Sequence, residues 1–307
     1  MTSLRLVLSR PLALGAAQWC GVIFLAYATA SPLWGAHANV NSLAYLWTLA
    51  AICLLAYWLP GLQLLYLSVM TYLAMNVAIA GTQWLGFDWV PFASLYPAGL
   101  FGNANFLAGA LALMLVAALA ERHWWFVPIG ALGLWLTQGR GAVLATGIAA
   151  TVWLWSRFRA TAICLLLLTP IAIFHLSESH RVNGLESRLG VWQVTLGHLI
   201  PFGHGVGSFA DAYKAFPLRI NMTEARPEHA YNDMLESVFE YGVMALPLWL
   251  LFVFAFETAR ETERLVLLAF VVLGLTHFPF HIPFTGPIAA LALGHALKER
   301  SNGAMET

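Results

Sequence analysis

Long apolar runs joined by short polar connectors make up most of this chain. A helix that crosses a bilayer needs about 20 mostly apolar residues. Ten segments approach that length: 12–30, 42–59, 62–84, 104–120, 124–138, 141–156, 160–176, 231–256, 265–278 and 284–298. Several are short, and the fifth and the last two also fit tilted, broken or re-entrant helices. The expected fold class is an all-α polytopic membrane protein with about ten transmembrane helices, eight or nine being the nearest alternatives. Connectors are brief, at Pro60-Gly61, Glu121-Arg122-His123 and residues 156–159, and no internal repeat is apparent. One polar, charged stretch, residues 177–228, stands apart. The chain thus divides into N-terminal membrane helices (1–176), an outer loop (177–230) and C-terminal membrane helices (231–307), read as one integrated domain.

Composition sharpens this picture. Of 307 residues, 60% are hydrophobic and 10% charged, against about 45–50% and about 25% in soluble domains. Fifteen Lys+Arg balance fifteen Asp+Glu. A disordered chain, a secreted disulfide framework and an ordinary soluble globule are excluded. No basic excess exists to collect nucleic-acid phosphates, so no nucleic-acid partner is expected. Cys20, Cys53 and Cys164 lie in apolar runs without paired spacing, which indicates neither a disulfide nor a zinc site. Arg5 and Arg10 precede the first segment, and Ala28-Thr29-Ala30 resembles a signal-peptidase site. The apolar run exceeds the ~7–15 residues of a signal peptide, so it reads as a first membrane helix that stays attached.

The placement of charge sets an orientation. Arg5, Arg10, Arg122, Arg157, Arg159, Arg260, Arg264, Lys298 and Arg300 fall on the N-terminal side, and the opposite short connections contribute only Arg140. Positive charge stays inside, which puts both termini in the cytoplasm and the long loop outside. In that loop Leu185, Leu189, Trp192, Leu196 and Leu199 recur at helical spacing. They predict an amphipathic helix lying in the interface with its apolar stripe in lipid. The tight turn Gly203-His204-Gly205-Val206-Gly207 follows; no strand precedes it, so a phosphate-loop reading is weak.

His229, Asp233, Glu236 and Glu240 follow at steps of 4, 3 and 4, one stripe of a helix opened by Pro227. A carboxyl at the depth of Glu240 costs several kcal/mol unless protonated or paired. Complementing the helix dipole accounts for Asp233, less readily for Glu236, and not for Glu240. His229, at the outer end, titrates near neutral pH and is the candidate base. Arg140, between Gly139 and Gly141, suits an anion site, because a guanidinium forks onto phosphate oxygens; the plainer alternative is a structural pair with a loop carboxylate. Arg181 and Arg188, at the start of the loop helix, would join it in a cationic pocket, with Arg219 and Arg226 as weaker candidates. His277 and His281 have metal-binding spacing only on a continuous helix. Pro279 and Pro283 break it, which favours a broken helix facing a polar cavity over a metal site.

Four stretches in this order resemble the O-antigen ligase and polymerase superfamily of bacterial membrane glycan transferases, which includes the pilin-type O-oligosaccharyltransferases. Gly102-Asn103-Ala104-Asn105 is similar to its Gly-Asn-x-Asn signature, and Thr137-Gln138-Gly139-Arg140-Gly141-Ala142 to its Ser-Arg-Gly motif. Ser187-Arg188 through Trp192, with the later stretch 201–209, resembles its loop motif. His229-Ala230-Tyr231-Asn232 through Glu240-Tyr241-Gly242 resembles its His-x-His-Asn…Glu-x-Gly helix start. The likeness spans about residues 99–285. Two departures stand out: the second His of the usual pair is Tyr231 here, which leaves the base role to His229 alone. The chain is also short for the family, so N-terminal helices of its pattern are expected to be missing.

The resemblance implies a GT-C-like fold in a bacterial inner membrane with a periplasmic loop. It implies transfer of a glycan from an undecaprenyl-diphosphate carrier to lipid A–core, to a growing glycan, or to a pilin hydroxyl. His229, Arg140 and Arg188 would be catalytic, with Arg181, Asn103, Asn105, Tyr231, Asn232, Asp233 and Glu236 binding substrate. The arginines would stabilise the departing diphosphate, and the displacement would be inverting and metal-independent. No metal ligands and no cofactor are expected. Polymerase chemistry of the same superfamily, a transporter using the His229–Glu240 stripe, and a non-catalytic scaffold are the alternatives.

Overall fold

The computed structural model describes residues 15–87, 96–155, 157–175, 183–216 and 227–303. These residues are all-helical, with no strand among them. In chain order the α-helices are α1 (Ala16–Ala30), α2 (Val40–Trp58), α3 (Gln63–Trp84), α4 (Ala104–Ala120), α5 (Phe126–Thr137), α6 (Arg140–Trp155), α7 (Arg159–His175), α8 (Asn183–Gly197), α9 (Phe209–Lys214), α10 (Asp233–Tyr241), α11 (Ala245–Thr258), α12 (Glu261–Gly274) and α13 (Thr285–Gly303). Every apolar segment expected from the pattern carries a helix. Three stretches, Val40–Trp58, Gln63–Trp84 and Asp233–Thr258, are long and apolar enough to cross a membrane. Others are shorter: the 14 residues of α12 rise about 21 Å, against a hydrocarbon core of about 30 Å.

The centre of the fold is α4. Leu107 through Ala118 are buried without a break, as expected of a helix apolar on every side. It packs on α3, α5, α6 and α12, while α2 lies along α13 and α1 along α11. Close approach depends on small residues: a Cβ at Gly139 would sit 2.4 Å from that of Ala108. Cys20, Cys53 and Cys164 stay unpaired.

The two ends of the helix array differ in chemistry. At one end Gln63 and Thr262 bond Glu121, Arg157 forks onto Glu261 at 2.7 Å, and Lys298 bonds the Leu59 carbonyl. Of the basic residues expected on a single side, Arg157 and Lys298 take part in these contacts, while Arg5 and Arg10 lie outside the described residues. At the other end lie the turns after α1, α3, α5 and α12, together with the long loop.

The eighth apolar segment is not one helix. Asn232 accepts the Leu235 N–H and caps α10 at Asp233, four residues beyond the stripe's expected start. A cap oxygen satisfies a free N–H there, which Pro227 upstream does not supply. The helix then breaks at Gly242 (φ +59), passing through a 3-10 turn, Gly242–Met244, into α11. The loop turn at 201–207 docks on this break: Gly205 N–H donates to Glu240 O and Val243 N–H to Pro201 O. Gly203 and Gly242 both have positive φ; a Cβ on Gly203 would lie 2.2 Å from the Glu240 carbonyl oxygen, and one on Gly242 2.0 Å from that of Pro201. The glycines of that turn are therefore an attachment point and not a phosphate loop. Glu240 belongs to the same attachment, its carboxylate accepting the Phe209 N–H at 3.3 Å.

Helix α8 has two apolar faces. Val191 and Thr195 are buried beside the Phe209–Tyr213–Phe239 cluster, whereas Leu189 and Leu196, from the stripe expected to meet lipid, are 51% and 59% exposed.

Candidate functional site

The turn between α12 and α13 gathers residues that are far apart in sequence. Leu275 closes α12, and Pro279 opens a single 3-10 turn, Pro279–His281. A proline has no N–H to continue the helix, so residues 276–281 are released to face the long loop. The Thr276 carbonyl accepts Arg188 Nη1 at 2.8 Å. Gly141 packs on Thr276 and His277, where a Cβ would lie 2.6 Å from each side chain. The Phe278 ring stacks on His229 at 4.2 Å and meets Tyr231 at 5.6 Å and Phe106 at 6.1 Å. Four stretches singled out in the sequence thus meet at one six-residue turn.

His229 precedes α10 and is not on its stripe, yet it still meets the helix. Its Nδ1 lies 2.8 Å from Glu236 Oε1, while Glu236 Oε2 accepts the Ala230 N–H at 2.8 Å. Glu236 is 2% exposed. His281 completes the group: Nε2 lies 3.6 Å from Glu236 Oε1, Nδ1 lies 3.4 Å from Asp233 Oδ1, and its ring is 4.6 Å from that of His229. Asp233 is itself held by the Phe280 N–H at 2.9 Å. Burial opposes charge on His281, but Glu236, Asp233 and Glu240 outweigh it and raise its pKa to about 10. A histidine and a carboxylate so oriented can take and hold a proton.

Of the candidate arginines, Arg188 adjoins this group. Arg188 lies over the Tyr231 ring at 5.1 Å, a cation–π contact. Tyr231 itself adopts φ +54, a conformation that is uncommon for a residue with a Cβ. Arg140, half-buried, opens α6 and makes no hydrogen bond or ion pair among the described residues. The loop carboxylates Glu178 and Glu224 lie outside the described residues. Val143 and Gly147, three and seven residues on, share its helix face and line a cavity of about 550 Å³. That cavity is apolar, walled by Leu115, Leu134, Trp135 and Leu168.

Other expected site residues have local duties. Asn103 caps α4 by accepting the Asn105 N–H, as Asn232 caps α10. Caps account for both without a ligand, and Asn105 supplies a backbone donor. Arg181, Arg219 and Arg226 lie outside the described residues. Pro279 opens the 3-10 turn that holds His281, so His277 and His281 do not share a continuous helix. His281 instead pairs with Asp233 and Glu236, a role the sequence reading missed. Its signal was present in the Pro279 break, which places His281 in a 3-10 turn of its own.

No protein-family model matches the chain, and no curated protein matches it.

Proposed function

We propose that this chain is a membrane glycan transferase of the O-antigen ligase or O-oligosaccharyltransferase type. In this reading it has about ten spans in a GT-C-like arrangement, cytoplasmic termini and a periplasmic loop in a bacterial inner membrane. One observation carries it: Arg188, the Arg140-Gly141 step and the His229–Glu236 pair all meet the turn at 276–281.

The donor is a glycan on undecaprenyl diphosphate. Its isoprenoid chain occupies the apolar cavity between α4, α5, α6 and α7, which Val143 and Gly147 line from the helix that Arg140 opens. Arg140 and Arg188 face the diphosphate, the group on which charge builds as the sugar leaves. Glu236 holds Nδ1 of His229, leaving Nε2 to accept the acceptor's hydroxyl proton. The acceptor oxygen bonds to the anomeric carbon as the bond from that carbon to the phosphate oxygen breaks. Undecaprenyl diphosphate departs and the configuration inverts. Neither the arginines nor the histidine requires a metal for these steps.

The test is transfer from a lipid-linked glycan by the purified chain in detergent, with lipid A–core, glycan and pilin acceptors offered in parallel. Wild type should transfer to one class in the presence of EDTA, and His229→Ala and Arg140→Ala should not. Transfer by either variant at the wild-type rate removes that residue's role.

A further inference from the structure

The group around His281 has the composition of a metal site as well as of a proton-holding pair. His229, Glu236 and His281 each offer one ligand atom, and these atoms lie within 4.8 Å of one another. We propose that the three residues bind a zinc-class divalent ion at the outer turn between α12 and α13.

Two imidazoles and one carboxylate are a recurrent zinc donor set, and three protein donors leave a position open for water. Metal–ligand bonds of about 2.0–2.2 Å place tetrahedral donors about 3.3 Å apart. Glu236 Oε1 is already 3.6 Å from His281 Nε2 and 2.8 Å from His229 Nδ1. Modest side-chain movement is all that remains, because both imidazoles are partly exposed while Glu236 is fixed.

The surroundings fit the same purpose. Metal-bound histidines almost always carry a carboxylate or carbonyl behind the second ring nitrogen. Asp233 Oδ1 stands 3.4 Å from His281 Nδ1 and has no hydrogen-bond partner of its own. The Phe280 N–H holds the other oxygen of that carboxylate, and the Ala230 N–H holds the far oxygen of Glu236, so Oε1 is the one left to the ion. The buried His295–Glu263 pair, at 2.9 Å, is joined by no third ligand among the described residues and makes a control.

Ion binding follows from these side chains alone. Its consequence for transfer rests on the transferase reading: an ion on Glu236 and His229 removes the hydrogen bond that orients the base, so zinc inhibits reversibly.

The experiment uses the full chain in detergent, stripped with EDTA and titrated with Co²⁺. One equivalent should bind with the visible ligand-field bands of a four- or five-coordinate site, and Zn²⁺ should displace it. Glu236→Gln and His281→Ala should abolish the bands, Asp233→Asn should weaken binding about 10–100-fold, and His295→Ala should leave it unchanged. Size-exclusion profiles identify any variant that fails to fold, and His281→Gln serves as the milder replacement. Absence of the bands in wild type, or their persistence in well-folded His281→Ala and His281→Gln, overturns the proposal. Transfer assays with added Zn²⁺ then read inhibition separately, so a chain that binds the ion but transfers no glycan refutes only the function.

Discussion

His229 lies in the loop before α10 and Glu236 in the first turn of that helix, yet His229 Nδ1 and Glu236 Oε1 are 2.8 Å apart. The contact exists because the chain reverses through Tyr231 in a left-handed conformation before Asn232 starts the helix. A histidine held in this way has its Nδ1 committed to the carboxylate.

Glu236→Gln should therefore behave as a base mutation. An amide donor facing Nδ1 favours the wrong tautomer, and transfer should fall about 10²–10⁴-fold, as for His229→Ala. Residues that act as a unit are not additive, so the double variant should be no worse than either single one. Initial rates with a lipid-linked donor decide this.

Arg140→Lys should not rescue Arg140→Ala. Lysine keeps the charge but loses the planar fork that fits two phosphate oxygens. Both variants should accumulate in the membrane at wild-type levels, because Arg140 is only half-buried at the first position of α6. Quantitative immunoblotting beside the transfer assay separates the two effects.

The stability of the folded chain should depend on His281 at alkaline pH. The proton it holds is bound more tightly than at the ordinary pKa of 6.5, so it stabilises the fold fully below that value. The contribution is lost as pH climbs through about 10. Thermal unfolding in EDTA should show a midpoint that falls between neutral pH and pH 10, with the slope flattened in His281→Gln. An equal slope in both proteins counts against a charged His281.

Gly203→Ala should destabilise the chain by about 2 kcal/mol or more, since it adds a left-handed penalty to a contact with the Glu240 carbonyl. Gly61→Ala, where a Cβ meets nothing within 4 Å, should be neutral. Comparing the two unfolding midpoints tests whether the loop turn is fastened to the helix break.

The helices were legible because apolar runs of membrane length are long, uninterrupted signals. The break at Gly242 was not, because the apolar pattern continues from Val238 through Leu251 while the backbone turns. The start of α10 was misplaced since Pro227 and Asn232 both signal a helix start, and only the cap hydrogen bond distinguishes them. Arg140, Arg188 and His229 were visible as charges out of place, but the meeting of Gly141, Arg188 and His229 at residues 276–281 depends on packing between distant segments. His281 was weighed only against His277, its neighbour in sequence, whereas its partners lie on another helix.

Two amides in α3 bear on how the chain is made. Asn76 and Gln83 are buried, and they take their hydrogen bonds largely from residues 98–100: Gln83 Oε1 accepts the Ala98 and Gly99 N–H groups, and Asn76 Oδ1 the Leu100 N–H. Those partners leave the ribosome after α3 is complete. In hydrocarbon an amide without a partner costs several kcal/mol, so α3 is a poor solitary insertion unit. It becomes a good one when α4 arrives with the preceding turn. Inserting α3 and α4 together, as a hairpin, satisfies those amides as they enter the hydrocarbon.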